Sequence, residues 1–333
     1  MSNQQKQHYY WLDWMKAIGM FFIVAGHLDP IGYQYIYVFS VPLFFIMSGF
    51  LAKHEDDEKV FWIKIVRNLI IPCILICLIM HVYDIVIDVA HGEFTWGRIP
   101  HRILNSILGI HGKGTLAGGL GLCWFIYTLV ICRILYQYTF CLGKLMRWMP
   151  IVVCIAIAIV YNMQEVDIYN SFLNTTLAYP LYVIGERCKL LYNRQSGFSD
   201  RILWLMITLG LILVITIGII NGAPWMYKAR YGKNLILFFI GGNAGSIVVF
   251  AIASYLQHFR YRIVDIIAKG TILILGFQFV LIRFYYHAPA ILQNGLLKYV
   301  IALIIVLIFV PIIQIVEKYF PILLGARVES KGH

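Results

Sequence analysis

The chain has 333 residues, of which 61% are hydrophobic and 13% charged, with a formal net charge of +11. A soluble domain of this size carries about twice that charged fraction, and no basic stripe interleaved with exposed aromatics offers the surplus cations a nucleic acid partner. Composition therefore excludes a soluble globular protein and predicts an all-α polytopic membrane protein. It reads as a single bundle of about ten transmembrane helices over residues 1–333, with membrane lipid as its surroundings.

Apolar windows, cut at Pro, Gly and charge, place helices near residues 11–29, 33–52, 68–90, 121–140, 150–164, 171–188, 201–221, 235–256, 269–287 and 292–320. The polar start from Ser2 to His8 runs into a segment that holds Asp13 and Lys16 and lacks a small-residue cleavage site, so the first span is expected to stay in the mature protein. An even number of spans puts both termini on one side. With the termini inside, eighteen Lys and Arg residues fall on the inner side and eight on the outer, with Arg133 within a span. That bias predicts cytoplasmic termini. The longest connection, 91–120, is then an outer loop with His91, His101, His111 and Trp96, long enough to be functional. Its Gly109–Thr115 stretch resembles a phosphate-cradling loop but has Gly114 after Lys113 where Ser or Thr is needed. No internal repeat or low-complexity segment is evident. The seven cysteines lie in or beside apolar runs without a Cys-x-x-Cys pair, so they read as small buried hydrophobes and no metal site is expected.

Ionisable groups inside a membrane helix are costly and are functional candidates by default. Lys16 and His27 are eleven residues apart, which returns to within about 20° of one helical face and separates them by about 16 Å along the axis. Lys16 then sits at the inner mouth, one turn from Asp13, and His27 in the outer half. A neutral imidazole in a desolvated site can take a proton at physiological pH, which suits His27 to general-base work. Asp29 could orient it if the chain turns at Pro30. The bland alternative is a snorkelling lysine and a histidine hydrogen-bonded in the helix packing. In the second span Pro42 is expected to shape the cavity around His27, and Ser48-Gly49 thins the helix for close packing. Lys64 and Arg67, one turn apart before the third span, can hold a polyanion or simply anchor the helix. Trp124 in the fourth span and Gln278 in the ninth complete the polar candidates. Trp96 and Trp225 are outer aromatics that could stack on a sugar or belong to an interfacial belt.

Leu12-Asp-Trp-Met-Lys-Ala-Ile-Gly19, Gly26-His27 and Val41-Pro-Leu-Phe-Phe-Ile-Met-Ser-Gly-Phe50 resemble the acyltransferase-3 superfamily, in its fucose 4-O-acetylase-like branch. Members have a basic residue and a histidine with ten residues between them in the first span, matched by Lys16 and His27, and a basic-x-x-basic element matched by Lys64 and Arg67. Weaker similarity extends to Leu122–Phe125, Ala178–Gly185 and Lys269–Gln278. Lys16 and Lys64 replace arginines common in the superfamily, and Gln278 stands where many relatives have histidine. The resemblance implies transfer of an acyl group, usually acetyl from acetyl-CoA, to a hydroxyl of a cell-surface or lipid-linked glycan at a bacterial plasma membrane. It assigns His27 to catalysis and Lys64, Arg67 and Lys16 to the coenzyme A phosphates at the cytoplasmic face; from their positions in the spans, Asp29 is expected to serve catalysis beside His27, and Trp124, Ser48 and Gln278 are expected to contact the acceptor. A homodimer is compatible with such a bundle. The competing reading is a transporter or flippase of a glycan or lipid intermediate, which broken helices paired across two repeats would support.

Overall fold

Among the described residues, ten helices fall near the apolar windows and three more join them. In the computed structural model, which describes residues 8–108, 118–140, 148–164, 167–168, 170–193, 197–287, 289 and 293–325, the order is α1 Tyr10–His27, α2 Tyr33–Phe50, α3 Glu58–Ile65, α4 Ile71–Ala90, α5 Arg98–Leu108, α6 Gly118–Phe140 and α7 Met149–Asn162. There follow α8 Ser171–Tyr192, α9 Asp200–Asn221, α10 Leu235–Leu256, α11 Arg262–Lys269, α12 Thr271–Tyr286 and α13 Leu297–Tyr319. The described residues contain no strand. Among the described residues, six helical segments are long and apolar enough to cross a membrane, and seven if the bent pair α11–α12 counts as one span. Of the expected ten, α7 is short at 14 residues. The helices α1 and α8 lower their hydropathy with Asp13 and Lys16 and with Asn174, Thr175, Thr176 and Glu186.

The third span differs most from expectation. It begins ten residues early, because Asp57 caps it by accepting from the Lys59 and Val60 amides at 2.8 and 3.3 Å. From there α3 and α4 form one 33-residue helical segment, Glu58–Ala90, with a single π turn at Val66–Ile70. Pro72 explains the turn. It has no N–H for the Asn68 carbonyl, so the hydrogen-bond register shifts and the Ile71 amide reaches back five residues to Val66. The expected outer loop likewise contains α5, tied to α4 by the Arg102–Asp88 ion pair at 2.7 Å; Gly109–Thr115 lies outside the described residues.

Small residues set the closest helix contact. A Cβ on Gly49 would collide with the Tyr182 carbonyl, and one on Gly185 with that of Ile46, so α2 and α8 touch backbone to backbone. Pro42 is buried against Gly242 of α10. It takes part in the α2–α10 packing.

One end of the bundle gathers the start of α1, where Trp14 Nε1 donates to the Phe259 carbonyl at 3.1 Å and Arg260 lies 4.2 Å over the Tyr10 ring. The end of α13 joins it through the Lys269–Glu317 pair at 2.8 Å. The start of α1 and the end of α13 thus share one end, as an even number of spans requires. At the other end Lys228 and Arg230 both reach Asp167 at 3.0 Å, beside a turn in which Trp225 and Arg230 exchange backbone hydrogen bonds. Partial burial pushes the Asp167 carboxyl up, but the two cations outweigh it and hold its pKa below the ordinary carboxylate range. With the folded pKa below the unfolded one, this contribution to stability is complete above the ordinary value of about 3.9 and is lost as pH falls through the folded value. In detergent, the melting temperature of the wild type should therefore fall more steeply below about pH 4 than that of Asp167→Asn. Parallel curves for the two proteins would contradict the pairing.

Candidate active site

His27 is the last residue of α1 and is half-buried. Its Nδ1 lies 2.7 Å from the Ile23 carbonyl one turn back. A carbonyl only accepts, so Nδ1 carries the proton and, in the neutral ring, Nε2 keeps its lone pair. The edge of the imidazole meets the Phe279 ring of α12, with centroids 4.7 Å apart. Two hydroxyls hold the backbone around it: Tyr37 donates to the Gly26 carbonyl at 3.1 Å and Tyr286 to the His27 carbonyl at 3.3 Å. Orientation of the imidazole therefore falls to the helix backbone. Asp29 is exposed in a left-handed turn with φ 48° and makes no hydrogen bond to His27; its carbonyl accepts from Lys298 at 3.1 Å. The expected role of Asp29 in orienting His27 is filled instead by Ile23.

The basic residues divide into two groups. Lys16, half-buried on α1, lies 3.8 Å from Asp13, whose other oxygen is 2.7 Å from His8 Nε2. Lys64 on α3 is paired with Glu55, in a connection clamped by reciprocal hydrogen bonds of 3.1 and 2.6 Å between Glu55 and Gln137 of α6. Arg67 stands in the π turn, exposed, with no ion pair among the described residues. Between α1 and α4 lies α12, which packs against both.

That helix carries Gln278, next to the Phe279 that touches His27. The side chain is 1% exposed, its Nε2 reaches the Leu275 carbonyl at only 3.5 Å, and its Oε1 has no hydrogen-bond partner among the described residues. An unsatisfied buried acceptor costs about 1–3 kcal/mol, which a ligand donor or a water would recover. Trp124 and Ser48 are half-buried on α6 and α2 and hydrogen-bond to His27 in neither case. Sequence reading missed Asn174 on α8, which is fully buried with both amide atoms unsatisfied among the described residues. Its signal was present in the polar run Asn174-Thr-Thr, ahead of the apolar stretch Leu177–Gly185 of α8. It also missed Asp84, 4% exposed, whose Oδ1 accepts from Arg283 of α12 at 2.9 Å.

The arrangement is a protonatable nitrogen with a defined tautomer, unsatisfied amides in the bundle, and basic side chains toward its other end. The family model described as an acyltransferase domain, acyltransferase-3, matches residues 9–315. The chain belongs to that family. Searches of curated proteins and of solved structures each found no match. The acyltransferase-3 match runs from the residue before α1 to within α13 and so takes in every site residue named above. It makes the protein a multi-pass membrane acyltransferase.

Proposed function

We propose that the protein moves an acyl group, acetyl from acetyl-CoA, onto a hydroxyl of a cell-surface or lipid-linked glycan, with His27 as general base. One observation carries this reading: the Nδ1 bond to the Ile23 carbonyl leaves Nε2 as the basic atom of His27, in a chain of an acyltransferase family. Nε2 takes the hydroxyl proton as the oxygen attacks the thioester carbonyl; the carbon–sulfur bond breaks, and the imidazolium returns the proton to the departing coenzyme A thiolate. The ester forms without a change in oxidation state. Arg67, Lys64 and Lys16 hold the donor phosphates as charged hydrogen-bond donors. Glu55 competes for Lys64, which makes Arg67 the principal contact. Gln278 Oε1, the Asn174 amide and Trp124 contact the acceptor, while Ser48, two residues before the Phe50 that packs on Trp11, lies toward the donor end.

The cation bias supports a cytoplasmic place for the end that holds both termini, in a bacterial plasma membrane on this reading, so the donor comes from that side and the acceptor from the other. Transport would call for broken helices paired between two halves, and the 84° break between α11 and α12 is single among the described residues. The test is sidedness. In oriented proteoliposomes, acetyl-CoA supplied to the face with the termini should acetylate an acceptor, and acetyl-CoA supplied only to the opposite face should not. Equal transfer from either face would overturn the two-sided arrangement.

A further inference from the structure

Outside the acyl-transfer residues, three thiols converge on one point. Cys73 and Cys77 lie one turn apart on α4, and Cys123 faces them from α6, 46 residues beyond Cys77 in the chain. The Cys77 and Cys123 sulfurs are 3.0 Å apart, those of Cys73 and Cys123 3.8 Å, and all three lie within 4.8 Å of one another. None of the three residues is more than 3% exposed. Two thiolates on one ion, with metal–sulfur bonds of about 2.3 Å, sit about 3.8 Å apart in tetrahedral geometry and about 4.0 Å apart in trigonal geometry. The Cys73–Cys123 pair already has that spacing, and a side-chain rotation at Cys77 brings the third sulfur to it. Thiolate donors select soft d10 cations over magnesium or calcium, which take oxygen. Sequence spacing alone did not show the set, because the third ligand comes from another helix.

We propose that Cys73, Cys77 and Cys123 form a buried thiolate site for a soft d10 cation, zinc or cuprous ion, that staples α4 to α6. Each ligating thiol gives its proton to solvent as the metal–sulfur bond forms. Three thiolates on zinc leave one net negative charge. The α4 helix continues from the π turn that bears Arg67, and Trp124 follows Cys123 directly, so the ion would fix those two residues relative to each other. The site does not depend on the acyl-transfer reading.

The test uses the full chain without a histidine tag, purified in detergent under reducing conditions, stripped with a chelator and titrated with Zn²⁺ or Cu⁺ against a chromophoric competitor. Co²⁺ serves as the spectroscopic probe. The expected results are one equivalent of Zn²⁺ or Cu⁺ bound, a sulfur-to-cobalt charge-transfer band, and a higher melting temperature with the ion. The two titrations decide which ion is held more tightly. Since even outer-shell changes cost about 10–100-fold in metal affinity, Cys123→Ser and Cys73→Ser should each weaken binding by at least about tenfold, while Cys188→Ser, at an exposed position near the end of α8, leaves it unchanged. Failure of the wild type to bind stoichiometrically overturns the proposal whatever the variants do. So does binding that Cys123→Ser leaves intact, or a Cys77–Cys123 disulfide in freshly isolated protein.

Discussion

His27→Ala should lower kcat/KM for acyl transfer by about 10²–10⁴-fold, the usual worth of a positioned general base. The protein should still fold. His27 is half-buried at the C-terminus of α1, and its removal costs the Nδ1 bond to Ile23, a contribution of about 0.5–1.5 kcal/mol. Size-exclusion profile and melting temperature check the fold, and a steady-state assay of coenzyme A release in the presence of acceptor checks the chemistry. Because Ile23 and not Asp29 holds the imidazole, Asp29→Asn should leave kcat within about twofold of wild type, where a catalytic carboxylate would cost orders of magnitude. Purified His27→Ala with retained turnover would remove the base from the mechanism.

Arg67→Ala should raise the Kd for coenzyme A by about 10–100-fold, in keeping with about 1.5–3 kcal/mol for a hydrogen bond to a charged group. Turnover at saturating donor should hardly change, because the guanidinium binds phosphates far from the bond that breaks. Lys64→Ala should do less, since Lys64 already pairs with Glu55. Arg67→Lys should recover part of the affinity, because lysine keeps the charge and loses the bidentate fork. Isothermal titration of the purified variants separates these cases. An unchanged Kd with reduced turnover would move Arg67 from the donor site to the chemistry.

The helical layout was legible because hydropathy is a property of windows, and windows find helices whose whole circumference is apolar. The two helices they overlooked, α5 and α11, are amphipathic, with charge on one side of a short segment. The early start of the third span hid behind Glu55-Asp-Asp-Glu58, where charge masks an N-cap. Pro72 is visible in sequence, yet its effect, a π turn that carries Arg67, follows only once the helix is known to run through it. Lys16 and His27 were found because charge stands out in an apolar run. Asp29 was given an orienting role on proximity in sequence, and the left-handed turn after Leu28 takes it out to solvent. Asn174 and the three thiols were not found for a common reason. Amides and thiols are ordinary in membrane helices, and only the missing partners of the one and the convergence of the others set them apart.

The central claim is that His27 Nε2 activates an acceptor hydroxyl for acyl transfer. The most direct measurement is mass spectrometry of surface glycans incubated with purified protein and acetyl-CoA carrying a heavy-isotope acetyl group, with wild type and His27→Ala side by side. The account predicts a heavy acetyl ester on one glycan hydroxyl with the wild type, removed by mild base, and none above background with His27→Ala. Equal ester formation by both proteins, or a label that stays in acetyl-CoA with every glycan supplied, would contradict it.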